Sequence, residues 1–211
     1  RIAPIQAMVI PVTQHKQGVL EAASALPPAR RDQAAIIRRQ SQTIRDLVND
    51  LNLTMRLDCA MQALRKEPIQ PEAFLRQIAA DFLNGGLGEG FGFEMDLPSE
   101  PLPPIDADPF LLRRAVNNLL TNCVRHNAPG CSIRLGARAE GAQIVLFVSG
   151  GAAAGFPAPP ESARPLEPDG GAAHGTGLKL VRQIAAAHGG SVQFLQGGSQ
   201  SLCVRICLPL R

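Results

Sequence analysis

Apolar residues in the first part of the chain repeat at helical spacing. Within residues 32–61, two rows of residues recur every seven positions, which predicts one long helix with a broad bundle-type face. The rows are Ile37, Ile44 and Leu51, and Ser41, Val48 and Met55. A shorter apolar segment precedes this helix and ends at Pro27 and Pro28, where a helix should break. Residues 1–64 are therefore predicted to form a helical hairpin.

A hairpin of two helices buries little apolar surface by itself. We therefore expect two copies to associate into a dimeric four-helix bundle. The alternative is an intramolecular hairpin that packs on the rest of the same chain.

From residue 65 onward, helical and strand patterns alternate. Proline in a first turn and aspartate as an N-cap indicate helix starts at Pro71 and at Asp108-Pro109. Residues 149–175 are rich in Gly, Ala and Pro and are predicted to form a long loop without regular structure. The predicted helices are 71–83, one that starts at 109, and 176–188, and the predicted strands are 91–97, 133–137, 144–148, 191–196 and 202–209. This order predicts a two-layer α/β sandwich over residues 65–211, and an α+β fold class for the whole chain.

The helix that starts at 109 carries an unusual polar stripe. Asn118, Asn122, Arg125 and His126 stand at i, i+4, i+7 and i+8, so they share one face. Asparagine is a mediocre helix former, so two of them one turn apart require an explanation. One interpretation is an oxygen pair for a hard cation beside two phosphate-binding cations. The alternative is an ordinary solvated face.

A glycine-rich run precedes the last predicted helix. It extends from Gly170 to Gly177, and the helical pattern after it ends at His188-Gly189-Gly190. A flexible loop that leads into a helix N-terminus presents free N–H groups and the positive end of a dipole. This arrangement favours phosphate, although a single glycine loop is weak evidence.

Composition narrows the possible functions. A net charge of +3 and 4% aromatic residues give no support for nucleic-acid binding, whereas 45% hydrophobic residues suffice for a core. Five cysteines without CxxC spacing predict buried free thiols in place of a zinc site or a disulfide framework. No signal peptide or apolar run of spanning length is present, so we expect a cytoplasmic piece. The start at Arg1 suggests a piece of a longer protein.

Together these motifs resemble the sensor histidine kinases of two-component systems. Residues 118–127 resemble their N box, residues 175–180 resemble their G2 box, and residues 45–57 resemble the second helix of their dimerisation and phosphoacceptor domain. The resemblance implies a hairpin over 1–64 followed by a histidine kinase/Hsp90-type ATPase domain over 65–211. A chaperone or mismatch-repair ATPase of the same wider fold would lack this hairpin.

The resemblance also implies a binding site for ATP and Mg²⁺. Asn122 would coordinate the metal with Asn118 beside it, while Arg125 and His126 would face phosphates or ribose. Residues 149–175 would form a lid. The phosphate cradle implied by the G2 box consists of Gly175, Thr176, Gly177 and Leu178, with Lys179 at a position that is usually glycine.

The G1 box departs from the family pattern. The family has Asp-x-Gly-x-Gly after a strand, and its carboxylate receives the amino group of adenine. The matching stretch begins at Val148, so Ser149 is predicted to replace the acid, with Gly151 and Gly155 as the glycines of the motif. Loss of a charged acceptor should weaken nucleotide binding by about 1.5–3 kcal/mol.

The implied activity is ATP-dependent phosphorylation of a protein histidine, followed by transfer to a response-regulator aspartate. Residues 1–7 resemble the tail of the family's phosphoacceptor pattern His-Glu-Leu-Arg-Thr-Pro-Leu, so counting back from Pro4 places the acceptor histidine just upstream of Arg1. His15 is predicted to be a surface residue. The full-length protein would be a membrane-anchored homodimer and a phosphoprotein of signal transduction. The alternative is a non-catalytic dimeric scaffold, or a histidine phosphotransfer protein, with a degenerate ATP site.

Overall fold

In the computed structural model, the chain divides into two compact units, Arg1–Asn49 and Asp50–Arg211. The structure describes residues 33, 37, 40, 41, 44, 45, 48, 49, 51–55, 63–151, 164–165, 176–196 and 202–210. All eight described residues of the first unit are helical, as predicted for the long helix. The first helix of the predicted hairpin lies outside the described residues. The predicted domain boundary at 64/65 stays a prediction.

Three helices with bounds close to prediction belong to the second unit. Proline occupies the first turn of α1 (Pro71–Asn84) and of α2 (Pro109–His126), where its missing N–H costs nothing. The third helix, α3 (Thr176–Ala187), ends before the predicted glycine pair, in which Gly189 has a positive φ of 76°. Gly85 closes α1 through its backbone N–H. Proline at the helix starts and glycine after the helix ends therefore determine the bounds of these helices.

Eight strands form two sheets among the described residues. The strands are β1 (Glu67–Ile69), β2 (Gly92–Asp96), β3 (Ile105–Ala107), β4 (Ser132–Glu140), β5 (Gln143–Gly151), β6 (Arg164–Pro165), β7 (Ser191–Gln196) and β8 (Leu202–Pro209). The larger sheet has the order β2-β4-β5-β8-β7-β6, and the smaller one pairs β1 with β3. Only the β2–β4 pair is parallel, and the other pairs are antiparallel.

One face of the large sheet packs against the helices. Alternate residues of each strand point to this face because the side-chain period of a strand is two. The largest fully buried side chains of this layer are Leu75, Ile78, Leu111, Leu112, Leu119, Leu120, Ile133, Leu135, Ile144, Leu146, Leu180 and Ile184. The predicted combination of a helix layer and a sheet layer is confirmed.

The opposite face of the sheet includes charged and aromatic side chains that contact each other. Arg138 stacks over the ring of Phe147 at 4.8 Å and pairs with Asp96 at 3.2 Å. The ring lies beside Gly136, where a Cβ atom would come within 2.3 Å of it. On the same face, Arg134 pairs with Glu94 at 3.0 Å.

The strands differ from prediction in three places. Strand β5 continues through residues 149–151, which were predicted to be loop, because they pair with β4 down to Ser132. A short strand, β6, also lies within the predicted loop, where Pro165 pairs with Leu195. The sequence pattern missed β1 and β3, since three residues are too few to show a period.

A buried hydrogen-bond network fixes the start of α2. Oδ1 of Asp108 accepts hydrogen bonds from the N–H groups of Phe110 and Leu111, both at 3.1 Å, which confirms the predicted N-cap. Its Oδ2 accepts from the N–H of Arg65 at 3.0 Å. The N–H of Asp108 donates to Nε2 of His188 at 2.9 Å. Three segments distant in sequence, around Arg65, Asp108 and His188, therefore meet at this residue.

Candidate nucleotide site

The two asparagines of α2 face the first turn of α3. A Cβ atom placed on Gly177 would lie 3.9 Å from Cγ and Nδ2 of Asn118 and 3.9 Å from Nδ2 of Asn122. Glycine at this position therefore adds no side chain beside the two amides, where a Cβ atom would already be in van der Waals contact with both. The first-turn N–H groups of α3 lack helical partners and lie at the positive end of its dipole. The predicted N box and G2 box thus meet in space.

The side-chain nitrogen of Asn118 is a buried polar atom without a partner among the described residues. This atom, Nδ2, is shielded from solvent and makes no hydrogen bond with the described residues. An unpaired buried amide costs free energy, so its presence in a folded core requires a reason. A half-turn about the Cβ–Cγ bond exchanges nitrogen for oxygen, so either a donor or an acceptor can occupy this position.

The remaining polar residues of the stripe and the loop lie further out. Arg125 and His126 are exposed, in keeping with the last turn of a helix, where cations are favourable. Lys179 is also exposed, whereas Leu178 is half-buried and packs against the hydrophobic core. Thr176 begins α3. Gly155 and Gly175 lie outside the described residues.

A second cluster of contacts joins the end of α2 to the end of β5. The N–H of Asn127 donates to the carbonyl of Cys123 at 3.1 Å, and its side-chain Nδ2 donates to the same oxygen at 2.8 Å. A Cβ atom on Gly150 would lie only 2.6 Å from this Nδ2 and 3.2 Å from Sγ of Cys123. The side chain of Asn127 therefore fills the space that a side chain at position 150 would need.

The strand register places Ser149 away from this cluster. Val148 belongs to the core below the helices and Gly150 contacts α2, so the intervening Ser149 points to the opposite face. There it is buried and lies between Arg134 of β4 and Cys203 of β8. The β5 residue that faces α2 beside Ser149 is Gly150, which the sequence interpretation did not single out.

Strand alternation also separates the other predicted glycine of β5 from the site. Gly151 pairs with Ser132 and shares the face of Ser149. Extending the alternation of Val148 by two residues would have pointed to Gly150 in the sequence. No comparable signal existed for Asn127, because its role depends on the packing of α2 against β5.

The thiols near the site are neutral. Burial raises the pKa of Cys123 to about 12, and the neighbouring Cys203 acts in the same direction. Burial likewise raises the pKa of Cys203 to about 11, despite the opposing charges of Arg205, Arg138 and Arg134. Described cysteines form no disulfide, which agrees with the predicted free thiols, and Cys59 lies outside the described residues. The thiol of Cys123, which lies beside Gly150, is therefore uncharged near neutral pH.

The residues present fit an Mg²⁺–nucleotide pair better than a metal held by protein alone. The described part of the chain contains no cluster of three His, Cys, Asp or Glu side chains that could hold a metal ion. Mg²⁺ usually takes one or two protein oxygens and completes its shell with phosphates and water. The amides of Asn118 and Asn122 beside the α3 N-terminus suit such a site.

Among the described residues, no helix is long and apolar enough to span a membrane.

Comparisons with known proteins agree with this geometry. Residues 107–211 match the family described as "Histidine kinase-, DNA gyrase B-, and HSP90-like ATPase". The chain is 28% identical over 193 residues to the alginate biosynthesis sensor protein KinB of Pseudomonas aeruginosa, covering 87% of this chain and 32% of KinB. The chain therefore spans about a third of the length of that relative.

Two solved structures have a similar fold. The full-length histidine kinase ShkA, solved in complex with AMPPNP, superposes with a TM-score of 0.65 at 26% identity, over 87% of this chain and 39% of ShkA. Histidine kinase ThkA, solved in complex with the response regulator protein TrrA, gives a TM-score of 0.64 at 14% identity. That match covers 92% of this chain and 56% of ThkA. The chain belongs to the sensor histidine kinases, and its residues 107–211 form their histidine kinase-type ATPase domain.

Proposed function

We propose that this chain binds ATP with Mg²⁺ between α2 and α3, as part of an ATP-dependent protein-histidine kinase. The observation that carries the proposal is the position of Gly177 directly above the amides of Asn118 and Asn122. The AMPPNP complex of ShkA supports a nucleotide at this fold. The N-terminus of α3 would then face the phosphates, which is the usual place for an anion at a helix.

The side chains of the proposed site would bind the metal, the phosphates or the ribose. Mg²⁺, when bound, would neutralise phosphate charge, and Asn122 with Asn118 would hold it through amide oxygens. Arg125 and His126 would attract the phosphates or contact ribose from the exposed end of α2. The N–H groups around Gly177 would orient the phosphate chain, because positioning and charge neutralisation dominate phosphoryl transfer.

The phosphate would pass to a histidine and then to a response-regulator aspartate. The acceptor histidine is expected upstream of Arg1, outside this chain, and His15 lies outside the described residues. The complex of ThkA with TrrA supports a response-regulator partner. The whole protein would be a membrane-anchored sensor with this part in the cytoplasm.

The exposed face of the long helix favours a homodimer. Five of its described apolar residues have between 50% and 62% of their surface exposed and follow heptad spacing, whereas Leu53 is half-buried. The five exposed residues are Ile37, Ile44, Val48, Leu51 and Met55. Such a stripe is costly in water and would be covered by a second copy in a four-helix bundle. Sedimentation equilibrium should show a dimer that Ile44→Glu dissociates and that Asn49→Glu, at an exposed position off the stripe, leaves intact.

Calorimetric titration with ATP–Mg²⁺ tests the nucleotide site. Asn122→Ala should weaken binding at least about tenfold, a loss of about 1.4 kcal/mol. Asn117→Ala is the matched control, because Asn117 has the same side chain on the same helix but is exposed. Equal affinity in both variants would contradict the proposed site.

Labelling with γ-phosphate-labelled ATP tests the kinase activity. The full-length protein should acquire an acid-labile phosphohistidine, and Asn122→Ala should abolish it. The label should map upstream of Arg1. Label at His15 would overturn the predicted position of the acceptor, and no label despite tight ATP binding would contradict kinase activity.

A second candidate function is a non-catalytic scaffold or histidine phosphotransfer protein. The observation that favours it is Gly150, because no carboxylate faces α2 at the end of β5. This candidate predicts no heat of binding with millimolar ATP–Mg²⁺. It also predicts that phosphate from a response regulator still reaches the upstream histidine.

A further inference from the structure

The side chain of His188 ties the last turn of α3 to the residue that precedes α2. Its Nε2 atom accepts the N–H of Asp108 at 2.9 Å, and its Nδ1 atom lies 2.7 Å from the carbonyl oxygen of Ile184. Because Nε2 is an acceptor, the ring proton is assigned to Nδ1, where it donates to that carbonyl. Both ring nitrogens are therefore bonded, and only 4% of His188 is exposed. The ring is held from two directions.

Asp108 is a fixed partner for this ring. Its buried carboxylate accepts the N–H groups of Phe110 and Leu111 in the first turn of α2. It also accepts the N–H of Arg65, in the segment before β1. A buried residue with this many hydrogen bonds has little freedom to move. His188 is therefore bonded to a point that is fixed relative to α2.

The same two helices meet again at the proposed nucleotide site. There a Cβ atom on Gly177, in the first turn of α3, would touch the amides of Asn118 and Asn122. The start of α2 thus meets the end of α3, and the second half of α2 faces the start of α3, so the two helices are antiparallel. At 1.5 Å per residue, Gly177 is roughly 16 Å from His188 along α3, and Asp108 is roughly 15–21 Å from the two amides along α2. These matched lengths connect the bond at one end to the site at the other.

We propose that His188 is a positioning residue of the nucleotide site, because its bond to Asp108 fixes the register of α3 along α2. A hydrogen-bonded helix is stiff over this length, so a shift of its last turn also moves its first turn. Without the bond, the first-turn N–H groups of α3 would no longer be held beside the amides of Asn118 and Asn122. Phosphate binding depends on such positioning. The inference rests on the proposed nucleotide function and adds to it a residue that does not touch the ligand.

Two amide variants that differ by one methylene group test this role. The side-chain oxygen of His188→Gln reaches the N–H of Asp108, whereas that of the shorter His188→Asn does not. Calorimetric titration with ATP–Mg²⁺ should give His188→Gln an affinity within about twofold of the native chain. His188→Asn should bind about three- to tenfold more weakly, the range of one neutral hydrogen bond. Recovery by the longer amide would identify the acceptor, and not the imidazole ring, as the group that the site needs.

Ile78→Val is the control for a general loss of stability. Ile78 is fully buried in α1, a helix that carries no residue of the site, so this variant leaves a cavity and lowers stability. It should keep the native affinity for ATP–Mg²⁺ at a temperature where circular dichroism shows every variant to be folded. An equal loss of affinity in Ile78→Val and His188→Asn, or equal affinities of the two His188 variants, overturns the positioning role. ATP binding that needs Asn122 would still support the proposed function in that case. No ATP binding by the native chain overturns both proposals.

Amide hydrogen exchange in the native chain tests the coupling without any substitution. Saturating ATP–Mg²⁺ should slow exchange of the Asp108 N–H by about threefold or more, because a bound nucleotide opposes openings that move α3 off α2. The reference is the N–H of Leu210, which donates to the carbonyl of Ala142 at 2.8 Å, at the opposite end of β5 from Gly150. Its exchange should not change. An unchanged rate at Asp108, or equal slowing of both amides, overturns the inference even where the His188 variants fail to fold.

Discussion

The two halves of α2 differ in how their polar side chains are satisfied. At the start, Asp108 is buried, and its two carboxylate oxygens accept three backbone N–H groups from two segments. In the second half, the buried Nδ2 of Asn118 has no partner in the described structure, and Nδ2 of the neighbouring Asn122 would lie 3.9 Å from a Cβ atom on Gly177. The same helix thus has one complete network and one incomplete one.

The difference separates structural polar residues from functional ones. A buried polar group with all its hydrogen bonds stabilises one conformation, and removing it should lower stability. A buried polar group without partners lowers stability and persists where a ligand supplies the partner. Substitutions at the start and in the second half of α2 should therefore change stability in opposite directions.

The largest expected effect on stability is at the start of α2, where the hydrogen-bond network of Asp108 is complete. Asp108→Ala removes three accepted hydrogen bonds and the N-cap of α2, and should lower the free energy of unfolding by about 3 kcal/mol. Asp108→Asn keeps an oxygen for the helix cap but offers nitrogen to Arg65, so it should lose about half as much. Urea unfolding measured by circular dichroism would show both changes. Equal stability of the alanine variant and the native chain would contradict a stabilising role of the Asp108 network.

The pH dependence of stability probes the same network. Burial lowers the pKa of His188; the charge of Lys66 acts in the same direction, while the Ile184 carbonyl and Asp108 oppose it. At low pH, His188 of the unfolded chain therefore binds a proton more readily than His188 of the folded chain. Stability should be full above the ordinary histidine value of 6.5 and should fall as the pH drops below it. The slope is at most about 1.4 kcal/mol per pH unit.

Two variants isolate the contribution of this histidine. His188→Gln retains an acceptor for the N–H of Asp108 but cannot titrate, so it should flatten the slope between pH 5 and 7. His126→Gln removes an exposed histidine at the other end of α2 and should leave the slope as it was. Urea unfolding at a series of pH values measures the difference. Identical slopes in all three proteins would exclude His188 as the cause.

A gain in stability is expected in the second half of α2, where the hydrogen bonds of Asn118 are incomplete. Asn118→Leu replaces an unpaired buried amide by an apolar group of similar size, and should raise the free energy of unfolding by about 1 kcal/mol. ATP–Mg²⁺ binding should fall at the same time. Thermal unfolding without nucleotide and calorimetry with it give the two readings. A loss of stability would show that Asn118 has a structural role instead.

The sequence predicted the features that depend on local chemistry. Asp108-Pro109 is an N-cap followed by proline, and the structure has a helix start there. Strands 191–196 and 202–209 also have the predicted bounds, because their apolar alternation is long enough to read. The meeting of Asn118 with Gly177 was implied by family resemblance and not by spacing.

Features that depend on tertiary contacts were not predictable. His188 bonds to the N–H of Asp108 across 80 residues, and no local pattern reports such a pair. Gly150, and not the predicted Ser149, lies on the side of α2, and motif spacing does not show which face of a strand a residue occupies. The register of β5 against β4 decides that, and it depends on a partner strand.

The smallest expected effect is at a polar contact of α2 that is satisfied but exposed. Arg113 pairs with Asp81 of α1 at 2.6 Å, with 34% and 56% of the two side chains exposed. Solvent screening and side-chain entropy leave such pairs only about 0.5 kcal/mol or less. A double-mutant cycle with Arg113→Ala and Asp81→Ala measures the coupling in urea unfolding. Arg113 also contacts the ring of Phe74 at 5.7 Å, so the single variants include a packing loss that the cycle cancels. A coupling above about 1 kcal/mol would mean that hydrogen bonding alone, and not burial, determines which polar groups of α2 stabilise the fold.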